Sequence, residues 1–234
     1  MEISARLEMI RERMAGACRR VGREIDSVRL VAVAKTRTPD EIRLAVEAGV
    51  RIIGENRVQE AERKQPELEN LEWHLVGHLQ KNKVKKAIEL FELIHSVDSV
   101  DLARRVDRLA SEMARIQRVL LQVDLAGETT KYGLAESEVI GALESFKEFS
   151  HLKVEGLMVL PPFHEDPQDA RPYFRRLRVL GERAQRDDLI PSLELSMGMS
   201  HDFEVAIEEG STYIRIGTAL FGERRSRETT SALV

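Results

Sequence analysis

The sequence holds a single cysteine, Cys18, among 234 residues. One thiol cannot close a disulfide within the chain, and it cannot build a thiolate metal site. Cys18 lies in a helical pattern without an activating neighbour, which predicts a buried or semi-buried structural thiol. Positive charge is not in excess either. The 36 Lys and Arg stand against 40 Asp and Glu, for a formal net charge of −4. That balance excludes a general pull toward nucleic acid. The one basic run, Lys81-Asn82-Lys83-Val84-Lys85-Lys86, reads as a solvated helix face, with a small anion or partner patch as the alternative. No apolar stretch is long enough to cross a bilayer. The opening residues Met1-Glu2-Ile3-Ser4-Ala5-Arg6 lack the apolar core of a signal peptide. The expectation is a cytoplasmic protein with neither membrane nor nucleic acid as partner. Linker-like and low-complexity segments are missing too, so one domain over residues 1–234 is expected. A hydrophobic content of 42% against 32% charged residues suits a soluble globular chain.

What is present is a strict alternation of short apolar runs and helical patterns. Residues 3–22 carry Ile3, Leu7, Ile10, Met14, Ala17 and Val21 at spacings of three and four, an amphipathic helix. The apolar run 28–34 follows, then Thr38-Pro39-Asp40-Glu41, which combines a cap, a proline at the first helical position and a capping-box glutamate. Further strands are predicted at 50–53, 73–76, 93–97, 119–125, 154–160, 193–195 and 213–216, with helices between them. Eight strand–helix units imply parallel strands with right-handed crossovers. At this length they predict a closed (β/α)8 TIM barrel with an extra N-terminal helix over its bottom or side. The alternative is an open doubly wound sheet, which normally places a G-x-G-x-x-G turn after its first strand; none follows residue 34.

The glycine turns come late instead. Ser196-Met197-Gly198-Met199-Ser200 and Arg215-Ile216-Gly217-Thr218 each leave a strand through glycine and a hydroxyl residue into a helix. Such turns offer unpartnered N–H groups at the positive end of a helix dipole, which suits a phosphate. In a barrel all strands open at one mouth, so Lys35, Asn56 and His78 meet these turns. A lysine held among Val and Ala is partly desolvated, which favours the neutral amine needed for a Schiff base; a lysine paired or turned to solvent is the alternative. An amine beside a phosphate cradle suits a phosphorylated aldehyde, of which pyridoxal 5'-phosphate is the commonest cofactor. Arg215 lies two residues before Gly217 and can point to the same side of its strand. There it would keep a ring nitrogen unprotonated, unless it is taken by a salt bridge. His74 and His78 straddle a strand end, which argues against a metal pair. His74 is expected in the core or wall and His78 in the pocket. Asp98 is expected to cap the next helix, with orienting a pocket group as the alternative, and Met197 and Met199 to pack around the cradle.

Five blocks in order resemble one family. They are Val31-Ala32-Val33-Ala34-Lys35-Thr36, Gly54-Glu55-Asn56-Arg57-Val58-Gln59-Glu60, the run from Trp73 to Lys83, Leu195-Ser196-Met197-Gly198-Met199-Ser200, and the run from Arg215 to Gly222. Together, over residues 5–224, they are similar to the pyridoxal phosphate homeostasis proteins (the YggS/PROSC family), whose barrel is that of alanine racemase. The resemblance implies that Lys35 carries pyridoxal phosphate as a Schiff base. Ser200, Gly217 and Thr218 would hold its phosphate, Arg215 would face the ring nitrogen, and Asn56 would line the pocket. It implies a carrier that buffers or delivers the cofactor, with apo forms of pyridoxal phosphate enzymes as partners; a monomer is expected. The segment 161–166 departs from the family pattern and reads as a mouth loop. An amino-acid racemase using the same lysine is the alternative; it would need a second base, and among the tyrosines only Tyr132 is placed to overhang the mouth. A cofactor-free aldolase or phosphosugar barrel is the third reading.

Overall fold

Strand and helix alternate because the buried runs are β-branched and short, while the segments between them carry one apolar face each. The structure, a computed structural model, describes residues 2–127 and 132–223. In chain order the elements are α1 (Ile3–Arg20), β1 (Arg29–Val33), α2 (Pro39–Glu47), β2 (Ile52–Glu55), α3 (Val58–Lys64), β3 (Glu72–Leu75), α4 (Val84–Leu90), β4 (Leu93–Val97) and α5 (Val100–Glu112). They continue with β5 (Gln117–Asp124), β6 (Leu134–Ala135), α6 (Val139–Phe146), β7 (Leu152–Val159), α7 (Arg171–Arg186), β8 (Glu194–Met199), α8 (Phe203–Glu208), β9 (Tyr213–Ile216) and α9 (Thr218–Phe221).

Eight strands close a parallel ring in the order β1-β2-β3-β4-β5-β7-β8-β9, and β9 pairs back onto β1. The two-residue β6 adds only to the end of β5. Side chains alternate across the sheet. Ala32, Ala34, Ile53, Leu75 and Ile94 pack outward against the helices, whereas Val31, Ile52, Leu93, Leu120, Met158 and Tyr213 fill the barrel.

Local chemistry sets the helix starts. Thr38 and Glu41 form the capping box of α2, with Pro39 at its first position. Ser99, not Asp98, caps α5: its hydroxyl accepts from the Leu102 N–H, and Asp98 is engaged by His78 instead. The extra helix α1 lies against the barrel's side, along α8, α9 and α2. It buries Leu7, Ile10, Met14, Ala17 and the Cys18 thiol, and Arg20 pairs with Glu208 at 2.6 Å. At the opposite end of the barrel from the mouth, the strands begin with charge. Arg118 pairs with Glu72 at 3.1 Å and with Glu155 at 3.0 Å, and the Arg29 guanidinium lies 3.8 Å from the centre of the Tyr213 ring.

Candidate functional site

Register brings the site together. Val33 on β1 pairs with Gly54 on β2, and Ala32 pairs with Ile216 on β9. Lys35, two residues past Val33, therefore leaves the barrel with Asn56 on one flank and Gly217 on the other. Met199 on β8 pairs with Arg215 on β9, so Ser200 completes the row. All six sequence-predicted residues come from four consecutive ring strands, β2, β1, β9 and β8. Gly77, at the end of β3, is a packing requirement of this rim: a Cβ there would fall 2.3 Å from the Asn56 carbonyl oxygen.

Lys35 is half-buried, and the peptide groups on both sides of it are gripped by α3. Lys64 Nζ donates to the Ala34 carbonyl at 2.9 Å and to Glu55 Oε1 at 2.6 Å, and the Thr36 N–H donates to Glu60 Oε2 at 2.9 Å. Thr36 takes φ of 66°, a left-handed conformation that costs a β-branched residue on the order of 1 kcal/mol. The Glu60 bond and the Lys64 bridge hold it there. Glu55 is fully buried, and its Oε2 has no hydrogen-bond partner among the described residues. Burial outweighs the nearby Lys64 and pushes the Glu55 carboxyl up to about 7.

The two glycine turns form one cradle. The Ser200 hydroxyl accepts from the Gly217 N–H at 3.3 Å and the Ala219 N–H at 3.2 Å, and Thr218 is the exposed first residue of α9. Gly198, at φ of 90°, lets β8 turn here; a Cβ would meet Ala206 Cβ at 2.5 Å. Asp202 Oδ1 fixes the turn by accepting from the Met199 N–H at 2.6 Å. Met197 is buried beneath the turn, but Met199 is 37% exposed, so only one of the two methionines packs under the cradle.

Arg215 is only 4% exposed. It makes no ion pair among the described residues. Its Nη1 donates to Ser196 Oγ at 2.6 Å and its Nη2 to the Val159 carbonyl at 2.9 Å. Burial pushes its pKa down to about 10, still a cation at neutral pH. Hydroxyl and N–H donors suit a phosphate, an amine suits an aldehyde, and a cation that makes no ion pair, with only Asp202 acting on it through space, suits a ring nitrogen lone pair. The donor set fits a phosphorylated pyridine aldehyde.

The histidines separate. His78 stands exposed at the mouth, its Nδ1 3.1 Å from Asp98 Oδ2, and its ring stacks on Tyr132 with centroids 3.5 Å apart. Tyr132 thus reaches the rim as expected; Lys131, in the same loop, lies outside the described residues. His74 is fully buried inside the barrel, bonded to His95. Sequence reasoning passed over His95, Glu72, Lys64 and Glu55. The signal was there for one of them, since His95, like His74, is a polar residue at an inward position of an otherwise apolar strand.

The family model for the N-terminal domain of alanine racemase matches residues 6–225, which sets the class as alanine racemase-like barrels. Alanine racemase of Clostridium difficile shares this fold with a TM-score of 0.70 at 13% identity, over 94% of this chain and 61% of its own. Much nearer is a protein of Aquifex aeolicus, named pyridoxal phosphate homeostasis protein. It is 45% identical over 227 residues, which is 96% of this chain and 100% of its own. A human protein of the same name is 38% identical over 238 residues, covering 95% and 86%. The chain belongs to the pyridoxal phosphate homeostasis protein family. PipY of Synechococcus elongatus, solved with pyridoxal phosphate bound, superposes with a TM-score of 0.84 at 39% identity, over 94% of this chain and 100% of its own.

Proposed function

We propose that this chain is a carrier of pyridoxal 5'-phosphate that works in intracellular homeostasis of the cofactor and holds it at the barrel mouth as one binding domain. The observation that carries the reading is the convergence of Lys35, the Ser200–Gly217–Ala219 cradle and the buried Arg215 guanidinium on four neighbouring strands. Lys35 would hold pyridoxal phosphate at its aldehyde carbon. The Ser200 hydroxyl and the backbone at Gly217 and Thr218 would hold the phosphate, Arg215 would face the ring nitrogen, and Asn56 would line the wall. Pyridoxal phosphate in the related PipY structure supports this assignment.

Buffering and delivery to apo-enzymes in the cytoplasm, by a monomer, fit the mouth better than turnover does. Lys35 is only half-buried, Thr218 is exposed, and Tyr132 is 55% exposed with its ring on His78. Stereospecific proton transfer needs water excluded and a base opposite the lysine; exchange with a second protein needs the reverse. No helix among the described residues is long and apolar enough to cross a membrane.

The test is the visible absorption spectrum of the purified protein before and after borohydride, with Lys35→Ala beside it. A band abolished by borohydride, with the label mapped to Lys35, is expected. Turnover of alanine enantiomers well above that of free pyridoxal phosphate would replace the carrier with a racemase. A colourless protein that cannot be reconstituted would sink both and favour a phosphosugar barrel.

A further inference from the structure

Below the mouth, the barrel interior holds an unbroken chain of hydrogen bonds that the binding of a cofactor does not by itself require. Glu72 Oε1 lies 2.9 Å from His74 Nε2, His74 Nδ1 lies 2.9 Å from His95 Nε2, and His95 Nδ1 lies 2.8 Å from Ser196 Oγ. Arg215 Nη1 then donates to the same Ser196 oxygen at 2.6 Å. His74, His95 and Ser196 are fully buried.

The proton positions follow from what each group can do. A guanidinium only donates, so Ser196 Oγ accepts from Arg215. The serine oxygen could accept twice, but at the other end the Glu72 carboxylate only accepts, so with both rings neutral His74 must donate from Nε2 and accept at Nδ1 from His95 Nε2, which leaves the serine proton for His95 Nδ1. His95 accepts there, so its proton sits on Nε2 and is donated to His74 Nδ1. His74 in turn carries its proton on Nε2 and donates it to Glu72. Every link has one proton and every bond points the same way, from Arg215 to Glu72. An extra proton on either ring breaks this order. Only one proton fits between the two rings, so His95 Nδ1 would have to donate to Ser196, and the buried serine O–H would lose its acceptor in the chain. Burial acts in the same direction, lowering the pKa of His74 and holding His95 well below the ordinary imidazole range. The charged and titratable groups around the two rings are Glu72, Glu92, Arg118, Arg29, Tyr213 and Arg215.

We propose that Glu72, His74, His95 and Ser196 are positioning residues for Arg215, a one-way chain in which neutral links separate the Glu72 carboxylate from the guanidinium and fix it without cancelling its charge. A carboxylate at Arg215 would fix it equally well but would compete with the ring nitrogen for its N–H groups. Ser196 fixes it and leaves the cation whole, because the only carboxylate of the chain stands at the far end, paired with Arg118. The proposal rests on the reading of Arg215 as the group that faces the ring nitrogen.

Two measurements test it. Nitrogen-15 NMR of the histidines in the apoprotein reads the tautomers with no cofactor present. Both rings are expected as neutral Nε2–H forms that do not titrate between about pH 5.5 and 8.5, away from the ordinary imidazole midpoint. An Nδ1–H form, or an ordinary titration of either ring, overturns the chain. Ser196→Ala, a small change at a buried site, is then loaded with pyridoxal phosphate. Affinity is expected to fall on the order of tenfold, as for other outer-shell partners, and the pH midpoint of the bound cofactor's absorption band is expected to move. A purely structural serine would leave that midpoint where it is, and an unchanged midpoint and affinity overturn the positioning role. Wild-type protein that takes up no pyridoxal phosphate would overturn the function proposed above, while the tautomers still decide the chain.

Discussion

The two basic residues of the site are anchored by opposite means. Behind Lys35, in the layer between strand and helix, the anchors are ionisable groups: Lys64 bridges Glu55 and Glu60, and the cluster holds the peptide groups of Ala34 and Thr36. Inside the barrel, Arg215 rests on a hydroxyl and a carbonyl, with neutral imidazoles behind them. The difference follows from what each anchor touches. The α3 cluster grips backbone, so its charges can cancel among themselves. The interior chain grips the guanidinium itself, and a charged partner there would spend the cation on the protein. The two regions should therefore fail differently when a link is removed.

The largest loss is expected behind Lys35. Lys64→Met leaves Glu55 buried without its counter-charge, and removing one partner of a buried pair costs about 3–5 kcal/mol. The loss should be largest near pH 8, where Glu55 is ionised, and smaller near pH 5, where protonation relieves it. Urea unfolding at the two pH values checks this. Glu55→Gln in the Lys64→Met background should recover most of the stability, because a neutral pair costs little in that layer. Equal losses at both pH values would mean that the cluster does not act through charge.

Inside the barrel the same kind of cut removes neutral bonds. His95→Phe strands the Ser196 O–H and His74 Nδ1, with an expected cost of about 2 kcal/mol, and that cost should not change between pH 5 and 8. A strong pH dependence here would erase the contrast between the two regions and place a charge on the interior chain.

How much of this was legible in the sequence depended on distance along the chain. The barrel came from periodicity, and the mouth from residues that sit at strand ends, since closing the ring carries Lys35, Asn56, Ser200, Arg215, Gly217 and Thr218 to one rim. The cap at Thr38 was equally local. The anchors were not local. His74 and His95 lie on neighbouring strands, but Ser196 reaches His95 only across the barrel, and no spacing announces that bond. The Glu55–Lys64 pair was hidden for another reason: in a charged helix such as α3, nothing in composition tells the one lysine that folds inward from its solvated neighbours.

A third contrast is read in the sign of the pH dependence. Glu55 has its carboxyl raised from the usual range to about 7. The folded state then binds its proton more tightly than the unfolded chain, so stability from this group is whole below about pH 4.5 and declines as pH rises through 7. Glu55→Gln should flatten that decline, by on the order of 2 kcal/mol.

Glu72 has the opposite sign. The hydrogen bond from His74, aided by Arg118, holds its carboxyl down at about 2. Its contribution is present above the ordinary carboxylate pKa and is lost as pH falls toward 2. About a third of its side chain is exposed, so solvent screening trims the effect to under about 1 kcal/mol. Glu72→Gln should leave the slope between pH 4.5 and 7 untouched and flatten only the acid limb of the stability curve, read by urea midpoints across that range. The amide oxygen of glutamine can still accept from His74 Nε2, so this variant keeps the direction of the interior chain while removing its one charge. If Glu72→Gln instead disturbed the region between pH 5 and 7, a histidine would have to be taking up a proton there, and the neutral chain beneath Arg215 would be the first thing to give up.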